Sequence, residues 1–196
     1  MKLFRIQNKI VYISRQFNNP TLDFKLIENS VEKLDPNVKN VILTKRIEKG
    51  FLNSISYVLH IFKQMYHIAT SKVVIIDTYC IAVSVLKHKK ETKIIQIWHA
   101  MGAIKKFGYQ TIGKTSGADA RTAQIMCMHK NYDYVLCPSK ITKKYYCEAF
   151  NVDESKIIYM ALPRVDYILE PKDKQKIYDE YPRINREKEC IICSDI

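Results

Sequence analysis

The sequence predicts a three-layer α/β domain: a Rossmann-like parallel sheet covered by helices on both faces. Three observations predict it. Strand-type apolar runs alternate regularly with helical segments along the chain, which is the order of a doubly wound sheet. The run Lys72-Val-Val-Ile-Ile-Asp77 is β-branched and barely interrupted, as in a central parallel strand. The 196 residues, 47% apolar and 27% charged, suffice for one full domain with a real core and exclude a disordered or fibrous class.

The elements follow in order. Lys9 to Ser14 alternates apolar and polar and reads as a first strand. Asn18-Asn19-Pro20 is a turn, after which Thr21 caps a helix whose apolar positions are Leu22, Phe24, Leu26, Ile27, Val31 and Leu34. Asp35-Pro36-Asn37 ends it and Val38 to Thr44 is a second strand, so the unit implies a right-handed crossover. Ser54 to Ala69 is apolar around much of its circumference and reads as a largely buried helix. Lys72 to Asp77 is the third strand, Ile81 to Lys87 a short helix, and Lys93 to Trp98 the fourth strand. A loop with Gly108, Gly113 and Gly117, rich in hydroxyls, reads as mobile surface and precedes a helix over Ala118 to Lys130. Tyr132 to Cys137 is a strand, Pro138-Ser139 opens a helix to about Phe150, and Lys156 to Met160 is a sixth strand. Asp173 to Tyr181 reads as a short helix and Glu189 to Cys193 as one more strand.

The formal charge of +12 favours a polyanionic partner: nucleic acid, an anionic membrane surface or a phosphate-rich substrate. No zinc-finger, RNP or basic-helix pattern accompanies it, and the charge is spread along the chain, which argues against nucleic acid. No stretch reaches the ~18–20 apolar residues of a membrane span, and Met1 to Asn8 lacks the core of a secretory signal. The expected location is cytoplasmic, at most peripheral to a membrane and held there by charge. Six cysteines should then be reduced thiols. Cys190-Ile-Ile-Cys193 lacks the second ligand pair that a zinc site needs, so no metal and no cofactor are expected.

His99 is the candidate for chemistry. The strand Lys93 to Trp98 delivers it into a loop holding Gly102, Lys105, Lys106 and Gly108, and ligands of α/β sheets sit outside the carboxyl ends of strands. An imidazole titrates near neutrality and can take or give a proton at working pH. Lys105 and Lys106 either neutralise phosphate oxygens or stand on an exposed face. Gly102 either lets the backbone approach a ligand or simply permits a turn. Arg164, in Pro163-Arg164-Val165-Asp166 after the sixth strand, either binds phosphate bidentately or pairs with Asp166. Ser14-Arg15, ending the first strand, is a weaker candidate of the same kind. His60 and His67 read as packing residues, His88 as part of an exposed basic cluster, and His129 as a cation favoured at a helix end.

The run Trp98-His99-Ala100-Met-Gly102-Ala103-Ile-Lys105-Lys106-Phe107-Gly108 resembles the signature of the CDP-glycerol glycerophosphotransferase family, which primes or polymerises wall teichoic acid and includes a ribitol-phosphate branch. Ile13-Ser14-Arg15-Gln16 with Leu22-Asp23-Phe24, Ser71 to Asp77, and Ala161-Leu-Pro-Arg-Val-Asp166 resemble further segments of it, with Ala161 where the family has glycine. The resemblance covers about residues 9 to 170. It implies the N-terminal lobe of a glycosyltransferase-B-type fold, with 1–170 as a Rossmann-like acceptor-side lobe and 171–196 as a connecting helix and the start of a second lobe. It implies transfer of glycerol or ribitol phosphate from CDP-glycerol or CDP-ribitol to a lipid-linked teichoic acid acceptor, releasing CMP. His99 would be the catalytic base. Trp98, Gly102, Lys105, Lys106, Arg164, Asp166, Ser14 and Arg15 would line the substrates. In the family a second functional histidine and most CDP-alditol contacts belong to the other lobe. This chain is therefore expected to be inactive alone, as a truncated product, a gene fragment or one half of a split enzyme. The competing expectations are a non-catalytic module binding the acceptor or a membrane, and a nucleic-acid-binding protein.

Overall fold

The computed structural model describes residues 4–115, 117–171 and 173–180. The chain divides into two units, Met1–Val165 and Asp166–Ile196. The first contains a six-stranded sheet in the order β2-β1-β3-β4-β5-β6, parallel throughout: β1 (Gln7–Ser14), β2 (Lys39–Thr44), β3 (Ser71–Ile76), β4 (Lys93–Gln96), β5 (Tyr134–Cys137) and β6 (Ile157–Tyr159). This is the expected Rossmann-like architecture. The inner strands β1 and β3 each have two neighbours and helices over both faces, so Val11, Tyr12, Ile13, Val74 and Ile76 are all buried. The first strand, read from its alternation, is thus buried on both faces over its carboxyl-terminal half, the usual state of a parallel sheet.

Two apolar layers flank the sheet. On one face Phe24 of α1 (Leu22–Leu34) packs with Tyr12, Ile75, Ile97 and Leu162. The Thr21 side chain accepts the Phe24 N–H at 3.3 Å and caps α1, as its sequence promised. On the other face α2 (Phe51–Ala69), α3 (Ile81–Val85) and α5 (Lys143–Phe150) close over Val11, Val74, Ile94 and Val135.

Helix α2 corrects the sequence reading. Only its last turns are well covered, with Gln64, Ile68 and Ala69 buried. Leu52, Ile55, Leu59, Phe62 and Tyr66, spaced at three and four residues, form one stripe that is between 45% and 77% exposed. The helix has more apolar faces than the sheet can cover.

The segment read as one helix over Ala118 to Lys130 is shorter. Helix α4 spans Ala120–Ile125, capped by Asp119, and then Cys127, His129 and Asn131 take left-handed φ values of 47°, 59° and 72°. Helix α5 runs Lys143–Phe150; the turn before it is held by Ser139, whose Oγ accepts the Thr142 N–H at 3.3 Å. The loop read as mobile surface is exposed at Gly113, Lys114 and Thr115 but closely packed at two of its glycines. A Cβ on Gly108 (φ 54°) would lie 2.1 Å from the Ala149 carbonyl oxygen, and one on Gly117 would lie 1.9 Å from that of Thr111. Close backbone approach, rather than phosphate binding, accounts for these two glycines.

Pro163 opens α6 (Pro163–Leu169), where a missing N–H costs nothing. In the second unit α7 spans Lys174–Glu180. The strand expected over Glu189 to Cys193, with its CxxC pair, lies outside the described residues.

Candidate active site at the strand ends

Between β1 and β3 the chain direction divides. β1 leads outward to β2, whereas β3 leads the other way to β4. Their carboxyl ends are thus the point at which connecting segments part, where open α/β sheets hold ligands. Ser14 and Arg15 stand at the end of β1, Asp77 and Thr78 at the end of β3, and His99 just past β4.

His99 is half-buried, and its Nδ1 lies 3.1 Å from the carbonyl oxygen of Asp77. A carbonyl only accepts, so Nδ1 carries the proton and Nε2 keeps its lone pair. Burial is the main cause pushing the pKa of His99 below its usual value. The charges of Arg164, Lys105 and Arg15 push the same way, against the opposing pull of the Asp77 hydrogen bond. The three cations come from three separate segments that the fold brings round one imidazole. The result is a neutral ring with an available base nitrogen in a positive field.

Trp98 precedes it with φ 61°, so the strand ends at Gln96, two residues before the expected limit. The indole stacks on Phe107 (centroids 4.4 Å, planes 19° apart) and touches the His99 ring (centroids 4.0 Å).

Asp77 and Asp23 were not singled out in sequence. Asp77 is 2% exposed, and burial raises its pKa to about 6. Hydrogen bonds from Ser14 and Thr78 oppose that shift and the charge of Asp23 adds to it. Its Oδ1 has no hydrogen-bond partner among the described residues. In the sequence Asp77 merely closes a β-branched run, and nothing marks it as enclosed.

Asp23, 1% exposed in the first turn of α1, accepts the backbone N–H of Arg164 at 2.9 Å and its Nε at 2.6 Å, and a second guanidinium nitrogen completes the ion pair. The ion pair Arg164 makes is thus with a residue 141 positions away, not with Asp166. An acidic residue in a first turn ordinarily reads as a complement to the helix dipole, which hid this role.

The remaining candidates differ in how they are held. Ser14 is fully buried and its Oγ accepts the Gln16 N–H at 3.2 Å. The Arg15 backbone N–H donates to Thr78 Oγ1 at 3.3 Å, and its guanidinium lies 5.1 Å from the centre of the Tyr79 ring. Lys105 and Lys106 are exposed on the loop after His99. Gly102 is half-buried, and a Cβ there would meet nothing within 4 Å. Asp166 is exposed in the first turn of α6 and belongs to the second unit. His129 is no surface cation. It is 5% exposed among Tyr79, Tyr109, Tyr132 and Phe150, and burial lowers its pKa to about 4. Among the described residues no group of three or more His, Cys, Asp or Glu could hold a metal ion.

Such an arrangement can accept a proton from a hydroxyl and favour an anion beside it. A family model described as CDP-Glycerol:Poly(glycerophosphate) glycerophosphotransferase matches residues 1–193. The teichoic acid ribitol-phosphate primase of Bacillus spizizenii is 31% identical over 188 residues, covering 94% of this chain and 48% of the primase. The teichoic acid glycerol-phosphate primase of Bacillus subtilis is 31% identical over 145 residues, covering 69% of this chain and 38% of that protein. The wall teichoic acid polymerase TagF superposes with a TM-score of 0.60 at 20% identity, covering 89% of this chain and 43% of TagF. That likeness shows the fold, the Rossmann-like lobe of a glycosyltransferase-B-type protein. The chain spans about half the length, or less, of the relatives it matches. It belongs to the CDP-glycerol:poly(glycerophosphate) glycerophosphotransferase family.

Proposed function

We propose that this chain supplies the acceptor-side lobe of an enzyme that transfers glycerol phosphate or ribitol phosphate from a CDP-alditol to a lipid-linked teichoic acid acceptor. The observation that carries the reading is the 3.1 Å contact of His99 Nδ1 with the Asp77 carbonyl oxygen, which leaves Nε2 as the base. The hydroxyl oxygen of the acceptor attacks the alditol-bearing phosphorus. Its proton passes to His99 Nε2, the phosphorus–oxygen bond to the cytidylate breaks, and CMP departs. Arg15, Lys105 and Arg164, whose charges reach His99, favour the negative charge that builds on the transferring phosphoryl group. Trp98 and Gly102 shape the loop that carries His99, and Lys106 stands exposed on the same loop.

Support comes from family membership and from relatives named as ribitol- and glycerol-phosphate primases. TagF has also been solved after a soak with CDPG. The chain's 48% share of the ribitol-phosphate primase supports a need for a second lobe bearing most CDP-alditol contacts. A lipid-linked acceptor also implies an anionic membrane surface, to which the net charge of +12 is complementary. Among the described residues no helix is long and apolar enough to cross a membrane. The exposed stripe of α2 adds an apolar contact to that electrostatic one.

The test is release of CMP from CDP-glycerol and CDP-ribitol in the presence of a lipid-linked acceptor, with the 196-residue chain alone and with a second lobe supplied. Turnover is expected only in the second case. Robust turnover by the chain alone would overturn the divided site, and no turnover with any supplied lobe would overturn the transferase reading.

A further inference from the structure

A tryptophan at φ 61° is a conformational outlier, and such backbone persists only where its surroundings over-determine it. The hydrogen bonds around Trp98 show what does so. Its backbone N–H donates to Gln96 Oε1 at 2.8 Å. Gln96 is fully buried at the end of β4. Its Nε2 donates to the Thr78 carbonyl and to the Tyr132 hydroxyl, both at 3.3 Å. The Tyr132 hydroxyl lies 2.9 Å from His129 Nδ1. Tyr132 is 1% and His129 5% exposed.

The amide of Gln96 has a forced direction. The Trp98 N–H can only donate, so the amide oxygen of Gln96 must face it and the amide nitrogen must face Tyr132. The Tyr132 oxygen accepts that N–H and keeps its own proton for a neighbour. His129 Nδ1 is in reach of it, and the neutral imidazole that burial favours can receive it there. Reversing the amide would set donor against donor at Trp98.

The same two residues after β3 hold both ends of the turn. The Thr78 carbonyl holds Gln96, and the Asp77 carbonyl holds His99. Between these anchors the left-handed step at Trp98 reverses the chain and lays His99 against β3. The stack of Trp98 on Phe107 fills the outside of the turn.

We propose that Gln96 is a positioning residue for His99: its amide, fixed by Tyr132 and His129, holds the left-handed turn at Trp98 that aims the imidazole at the Asp77 carbonyl. The catalytic meaning of this device rests on the reading of His99 as base, but the device itself is testable without turnover. Trp98 is the one tryptophan in the sequence, so fluorescence excited at the red edge of the indole band, where tyrosine does not absorb, reports on this turn alone. Imidazole ¹⁵N–¹H correlation spectra report which nitrogen of His99 is protonated.

The variants are Gln96→Leu, Gln96→Glu and Tyr132→Phe in the 196-residue chain. Gln96→Glu keeps an acceptor for Trp98 but loses both donors, and Tyr132→Phe removes the hydroxyl that relays to His129. In folded Gln96→Leu the indole emission should shift to the red, acrylamide quenching should rise, and the Nδ1–H form of His99 should be lost to a tautomeric mixture. The other two variants should move in the same direction by less. A Gln96→Leu protein with native far-ultraviolet dichroism, unchanged quenching and unchanged His99 tautomer would overturn the proposal. Should Gln96→Leu not fold, the decision passes to Gln96→Glu and Tyr132→Phe, where unchanged quenching and tautomer overturn it equally. Turnover with a second lobe is a separate measurement: its failure would count against the transferase reading and leave the spectroscopic result standing.

Discussion

At the scale of single residues, His99 and Asp77 are joined by one hydrogen bond, from the imidazole to the Asp77 carbonyl, but respond oppositely to burial. For His99 burial favours the neutral form, so the base nitrogen is available below pH 6.5 as well as above it. In an enzyme with its second lobe, His99→Ala should lower turnover by at least ~100-fold, the lower range for a general base, while the melting temperature changes little. The acid limb of kcat/KM should fall below pH 6.5; a limb above that value would assign it to another group. Asp77 is the reverse case, with a folded-state pKa of about 6 against 3.8 when free. The folded protein holds a proton that the unfolded chain releases between those values. Stability from this group is therefore full below pH 3.8 and lost as pH rises through about 6, a cost of order 3 kcal/mol. Asp77→Asn should remove that cost. Its stability difference from wild type, near zero at pH 4, should grow in favour of the variant up to pH 7, as read by urea titration. A difference independent of pH would mean that Asp77 is not the buried acid described.

At the scale of elements, α2 joins sequence to surface. Its stripe from Leu52 to Tyr66 is exposed, with Lys49 and Lys63 exposed on the same helix and its approach. Apolar area beside basic side chains suits an anionic lipid surface, where area and charge both contribute. The double variant Leu59→Ser, Phe62→Ser should keep wild-type stability, because neither side chain is in the core. It should lose the part of vesicle binding that survives high salt, while the salt-reversible part remains. Cosedimentation with phosphatidylglycerol vesicles across a salt series would show this, and unchanged binding at high salt would remove α2 from the contact. The helix also shows how far pattern reading reaches. The apolar composition from Ser54 to Ala69 announced a helix, but composition cannot say how many of its faces find partners. The strands were legible because β-branched runs between turn signals admit few alternatives. The end of α4 was not, because Cys127, His129 and Asn131 adopt left-handed backbone in a segment held by tertiary contacts, such as the bonds that Asn131 Nδ2 donates to the carbonyls of Val83, Ser84 and Leu86.

At the scale of the whole molecule, the site was legible only where it was local. His99 stood out because a strand, a glycine and two lysines surround it in sequence. Asp23 and Arg164 stayed separate because their pairing spans 141 residues and only the packing of α1 against the β6–α6 junction reveals it. Burial of polar groups is equally a property of the whole. The five histidines His60, His67, His88, His99 and His129 all have pKa values pushed below 6.5, in every case chiefly by desolvation. Each binds its proton more readily in the unfolded chain, so each contributes stability that is complete above pH 6.5 and lost as pH falls, for His129 down to about 4. Asp77 works the other way in part of this range, but one carboxyl opposes five imidazoles. The urea midpoint should therefore drop from pH 7 to pH 5, and drop further in Asp77→Asn, which lacks the opposing group. A positive net charge of +12 adds self-repulsion as the histidines protonate. Salt separates the two causes: it screens repulsion between exposed charges but leaves the cost of burying an imidazolium almost untouched. The loss of stability on acidification should persist in high salt. A midpoint flat from pH 7 to 5, or a fall abolished by salt, would mean that these histidines take up protons without leaving their folded positions.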